Sequence, residues 1–241
     1  FFKMSDEIFL DGNTKYVHEV ETNIRKGFAN KVLTQTGCLL LLTACICGAG
    51  MASSDKTQHY LIGQGQWILW LSMIASFAIL ISFFCFPSIF YHSPQKYFSL
   101  LLFGASLSTM CMYATIQYKV SSVLLVAGLT ASSTIVLCIY AKNTKQDFTS
   151  MGGVLSVFLW ILIAFGILQI WFHDQILQTL YGCLGALVFS MYIIYDMQLI
   201  LGGKHHKYEY GLDDDVLATI SLFLDIVNLF LQLLSLFGER K

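Results

Sequence analysis

Charge is what this sequence has least of: 12% of its 241 residues are Asp, Glu, Lys or Arg, and arginine occurs only as Arg25 and Arg240. No basic patch able to track a phosphate backbone can be assembled from so little, which excludes nucleic acid as a partner. Cysteine is missing from the polar joints. All seven cysteines, Cys38, Cys45, Cys47, Cys85, Cys111, Cys138 and Cys183, fall in apolar stretches, so a disulfide framework is not expected. Cys45 and Cys47 lie two apart, point to different faces of a helix, and read as small packing residues. Residues 1–31 lack the short apolar core and small-residue cleavage site of a secretory signal peptide, so the first membrane helix is expected to act as the insertion signal. Neither HExxH nor GxSxG occurs, so the chain is not expected to be an enzyme and no cofactor is expected.

What is present is hydrocarbon. The chain is 56% hydrophobic with a mean hydropathy of +0.66, far outside the range of soluble domains, and reads as an integral membrane protein. After a polar tail, 1–31, apolar runs occupy about 32–51, 67–91, 97–117, 121–141, 154–172, 176–201 and 216–237. Each approaches the roughly 20 residues that cross a bilayer. The expected fold is therefore all-α, a single seven-helix transmembrane bundle over 32–241. The joints are too short for a soluble domain, so successive helices should be antiparallel neighbours. Small residues four apart, Gly104 with Ser108 and Gly182 with Ala186, suit close helix approach.

Lysine and arginine in short joints set orientation. Lys3, Lys15, Arg25, Lys26, Lys31, Lys96, Lys142, Lys145, Lys204 and Lys207 fall on the side of the N-terminal tail, against Lys56 and Lys119 on the other. The N-terminus should be cytosolic. Arg240 and Lys241 lie outside if the last segment crosses and inside if it dips and returns, and a dipping segment needs protein or a cavity around it.

None of the first five runs contains Asp, Glu, Lys or Arg, whereas each of the last two holds one aspartate: Asp196 and Asp225. A charge near a helix centre in a bilayer costs about 2.5–3.5 kcal/mol on insertion scales, so it normally faces a partner, a water-filled cavity or an ion path. Helical spacing puts Ser221, Asp225, Asn228, Gln232 and Ser235 on one face, and Tyr192 one turn from Asp196, where its hydroxyl can bond the carboxylate. In the loop 202–215, His205, His206 and Glu209 do not show tetrahedral ligand spacing and read as solvated. Asp213, Asp214 and Asp215 open the last helix, where acidic residues complement its dipole.

Three blocks of this sequence resemble the transmembrane Bax inhibitor motif family, especially its Lifeguard and Golgi anti-apoptotic branch. The first is 24–32, with Arg25, Lys26, Gly27 and Phe28; the second is 144–150, with Gln146, Asp147 and Phe148. The third joins Tyr195-Asp196-Met197-Gln198 and Gly202-Gly203-Lys204-His205 to Ser221-Leu222-Phe223-Leu224-Asp225-Ile226-Val227-Asn228. The resemblance implies seven helices with the last one central, endoplasmic reticulum or Golgi membranes, a calcium leak and suppression of cell death. It also implies a hydrogen-bonded aspartate pair that senses pH and gates the pore, here Asp196 and Asp225. Two departures stand out. Relatives carry a basic residue near the end of the second helix where this chain has His92, with Arg25 or Lys96 as candidate replacements. Some relatives have a glutamate in the third helix where this chain has Ser108 and Thr109.

Two carboxylates in one low-dielectric site cannot both ionise cheaply, so a single shared proton ties the last two helices. Its loss leaves two charges that repel and attract a divalent cation. Calcium suits carboxylate oxygens, and with so few ligands its binding at Asp196 and Asp225 is transient, as conduction requires. The expected partners are membrane lipid, calcium, protons and other membrane proteins of cell-death control. The competing readings are a proton-coupled transporter and a non-conducting anti-apoptotic scaffold.

Overall fold

The computed structural model describes residues 2–85, 94–169, 171, 174–202 and 207–241, with side chains from residue 23 onward except 83 and 84. His92, His205 and His206 lie outside the described residues. Among the described residues eight α-helices follow one another: α1 (Phe2–Ala52), α2 (Asp55–Ile62), α3 (Gln66–Cys85), α4 (Gln95–Thr115), α5 (Val120–Asn143), α6 (Gly152–Leu168), α7 (Gln175–Leu201) and α8 (Asp215–Phe237), with one 3-10 turn at Thr149–Met151. Six stretches are long and apolar enough to cross a membrane: Asn23–Ala52 of α1, α4, α5, Thr149–Leu168, α7 and α8. A seventh is the pair α2 and α3, bent by 60° at its break.

Two expectations change here. The polar stretch 2–31 is helical and continuous with the first span. The second span is preceded by a short helix, α2, where the sequence suggested only a joint. Gln58 docks α2 on the end of α1: its Nε2 donates to Met51 O at 3.0 Å and to Ser53 O at 3.1 Å, satisfying carbonyls left open where α1 ends. Gly65 makes the bend. A Cβ there would lie 2.9 Å from Leu61 Cα, and Tyr113 of α4 donates to the Gly65 carbonyl at 2.7 Å.

Polar pairs fix which helix ends share a side. At one end Lys31 and Lys96 meet Asp215 at 2.7 and 2.8 Å. Gln198 ties α7 to the α5–α6 joint there, accepting from Phe148 N at 2.8 Å and donating to Gln146 O at 2.9 Å. At the other end Lys119 pairs with Glu239 at 2.7 Å, and Lys241 Nζ donates to Gln58 at 2.8 Å. The stretch after α8 forms a bridge with the α4–α5 joint, Tyr118 opposite Arg240. Thus α8 runs from one end of the bundle to the other and does not turn back.

The same α8 touches α1, α4, α5 and α7, and α7 in turn touches α1, α5, α6 and α8, so the last two helices together fill the middle of the bundle. Apolar tails inside a bilayer give helices no hydrophobic reason to associate, so small residues at the contacts carry the packing. A Cβ on Gly104 would lie 2.5 Å from Leu39 Cδ2. One turn further along the same α1–α4 seam, Thr43 and Ser108 share a hydrogen bond of 2.8 Å, and Cys47 faces Cys111. All seven cysteines are free thiols. By contrast α6 buries only Leu155 and Leu162 and presents Val157, Phe158, Trp160 and Ile161 outward.

Candidate functional site

Antiparallel packing of α7 on α8 brings the two aspartates together. Their helices approach closely because α7 offers glycine where α8 is bulky: a Cβ on Gly185 would lie 2.5 Å from Gln232 Cδ, and one on Gly182 2.8 Å from Leu236 Cγ. Further along this seam Asp196 and Asp225 are both buried, within hydrogen-bonding reach of each other. Neither Oδ2 finds a donor among the described residues. As two ionised carboxylates the pair would leave a buried acceptor unsatisfied on each residue, an expensive arrangement. One proton held between them answers both.

Of the polar face expected on α8, only part turns to the pair. Asn228 is satisfied within its own helix, its Nδ2 donating to Leu224 O at 2.8 Å. Gln232 is buried against Gly185, below the carboxyls. Ser221 reaches the site indirectly, through Tyr210. Tyr192 lies beside both aspartates, but its hydroxyl bonds Ser156 of α6 and not Asp196, which corrects the one-turn expectation. The helix directs Tyr192 outward from α7 toward α6.

The hydroxyl that does reach Asp196 belongs to Tyr210, in the α7–α8 joint. It also lies 3.3 Å from Ser221 Oγ. Burial, reinforced by the nearby Asp196 carboxyl, pushes the Tyr210 hydroxyl up from its usual range and keeps it a donor. Its backbone is held from two sides. Tyr210 N donates to Leu199 O at 3.1 Å. Arg25 of α1 donates through Nη1 to Tyr210 O at 2.6 Å and through Nη2 to Leu199 O. A guanidinium at the last turn of α7 suits both the open carbonyls and the helix dipole. The joint leaves α7 through Gly202, whose φ of 58° and ψ of −166° belong almost solely to glycine. A Cβ at Gly202 would lie 2.7 Å from Arg25 Nε.

Asp215, expected merely to complement a helix dipole, is instead a buried anchor. Besides the two lysines it accepts from Gln35 Nε2 at 3.2 Å, and Gln35 in turn accepts from Thr219 at 2.7 Å. No three His, Cys, Asp or Glu among the described residues converge on a metal-sized point. The oxygen set at the pair, two carboxyls and a phenol, offers a divalent cation only a few hard ligands. An open cavity of about 600 Å³ lies at the opposite end, lined by Asp55, Gln58, His59, Gln117, Arg240 and Lys241, away from the aspartates.

Fold and site together define a helical membrane protein whose last two spans enclose an acidic pair. The chain matches the family described as inhibitor of apoptosis-promoting Bax1 over residues 25–241, and it belongs to that family. Golgi anti-apoptotic proteins of the vaccinia virus strains Lister, LC16m0 and LC16m8 are each 32% identical to it over 222 residues, covering 91% of this chain and 88% of theirs.

Proposed function

We propose that this chain is a pH-sensitive calcium leak of intracellular membranes that restrains cell death, with Asp196 and Asp225 as its gate. The observation that carries the proposal is the buried pair whose Oδ2 atoms find no donor among the described residues, a need that one shared proton would meet. With that proton in place the carboxyls hold α7 to α8 and the path is shut; without it they repel and present negative oxygens to calcium. Weak binding by few ligands favours passage over storage. The family's description and the relatives' name support a role in limiting cell death and residence in Golgi membranes. The lysine asymmetry supports a cytosolic N-terminus, which puts the Arg25 end on the cytosolic side.

Calcium efflux from liposomes holding the purified chain tests this. The parent's leak should rise with pH by at most about tenfold per unit, the limit for one shared proton. Asp225→Asn should leak slowly at every pH, because the amide N–H donates to Asp196 permanently. A variant that keeps the parent's pH curve would remove the aspartates from the gate. A proton-coupled transporter would instead show saturable flux, and a non-conducting scaffold none while still protecting cells.

A further inference from the structure

We infer that Arg25 and Tyr210 form a seal over the aspartate pair: Tyr210 supplies the plug, and Arg25, acting as a positioning residue, fixes it in place. The inference rests on the aspartate-pair reading of the site and adds the element that controls access to it.

Three observations meet at this point. The Tyr210 side chain extends from the α7–α8 joint into the pair, its hydroxyl 3.3 Å from Ser221 Oγ and within reach of Asp196, so it lies over the carboxyls. The Tyr210 backbone has no helix to hold it; Arg25 and Leu199 do so through the carbonyl and the amide. Arg25 itself reaches in from α1, 185 residues away along the chain, so the grip is tertiary and α1 must stay docked for the plug to stay seated. Phe28 lies under the guanidinium at 5.0 Å and steadies it.

The grip is on carbonyls, not on charge. Glu209 is the carboxylate paired with Arg25, at 3.9 Å and with its side chain 56% exposed, and an exposed pair of that length contributes little. The two carbonyl contacts are charge-assisted and require a planar fork with two separated donors. Lysine has the charge but not the fork. Arg25 Nε finds no acceptor among the described residues, and the grip on the joint is made by its two outer nitrogens.

The test uses the full chain in liposomes, a water-soluble carbodiimide with an amine, and peptide mapping of which carboxyls acquire the amine. Asp196 and Asp225 should be protected in the parent. Arg25→Gln and Arg25→Lys should both raise their labelling by about tenfold, the population shift that follows loss of a charge-assisted hydrogen bond. Tyr210→Ala should do the same, Tyr210→Phe should stay protected because the ring remains, and Glu209→Gln should match the parent. Labelling of Arg25→Lys at the parent's level, or of Glu209→Gln at that of Arg25→Gln, would overturn the carbonyl grip. Labelling of Tyr210→Ala at the parent's level would overturn the plug. Because labelling needs no ion flux, its result stands apart from the leak measurement: protection lost with no leak in any variant would keep the seal and remove the channel reading.

Discussion

At Asp215 a carboxylate with its side chain 1% exposed meets two lysines of unequal burial: Lys96 is 12% exposed and Lys31 41%. Removing one partner of a buried pair costs about 3–5 kcal/mol, whereas an exposed ion pair contributes about 0–1 kcal/mol. Lys96→Gln should therefore lower the thermal midpoint in detergent clearly more than Lys31→Gln does; equal shifts would show that burial does not set the strength of this anchor. The sequence displayed Asp196 and Asp225 because a lone charge in an apolar run stands out against its neighbours. Asp215 escaped notice among Asp213 and Asp214, since three adjacent acids before a helix already have a sufficient local explanation. Tyr210 was less visible still. Its role depends on Asp196, fourteen positions earlier, and on Arg25 from another helix, and neither distance leaves a periodic trace.

The α7–α8 seam decides whether the two aspartates can meet. Gly185→Leu would drive a side chain into Gln232, pushing the helices apart and separating the carboxyls. It should destabilise the chain by about 1–3 kcal/mol, the usual cost of overpacking, and expose both aspartates to aqueous carbodiimide. Gly128→Leu is the matched control, because nothing lies within 4 Å of a Cβ there. If the two variants unfold alike, the glycine seam is not what holds the pair. Hydropathy located the long apolar helices, since length and composition suffice for a membrane span, but it missed that the first runs unbroken from Phe2 to Ala52. It did not reveal α2, which is short and polar and is held to the end of α1 by Gln58. Nor could it separate a crossing from a dip in the last segment. That was decided by ion pairs at opposite ends of the bundle, Asp215 with Lys31 and Lys96 at one and Glu239 with Lys119 at the other.

As a whole the molecule is a bundle with distinct ends. The N-terminal side of α1 and the stretch after Phe237 lie on opposite faces, so tags at Phe1 and Lys241 should differ in protease protection in sealed microsomes. Both tags cleaved from the same side would contradict the end-to-end course of α8. The rim is as uneven as the ends. Most of α6 faces outward, and the span it forms with the preceding 3-10 turn, 20 residues over Thr149–Leu168, rises about 30 Å. The hydrocarbon of the endoplasmic reticulum is about 27 Å thick and that of the plasma membrane about 32–33 Å. Beside α6 a thick bilayer must pinch inward by a few ångströms, whereas in a thin one the span tilts or the lipid thickens. This outward-facing wall of the bundle thus sets how far the surrounding bilayer must deform to meet it.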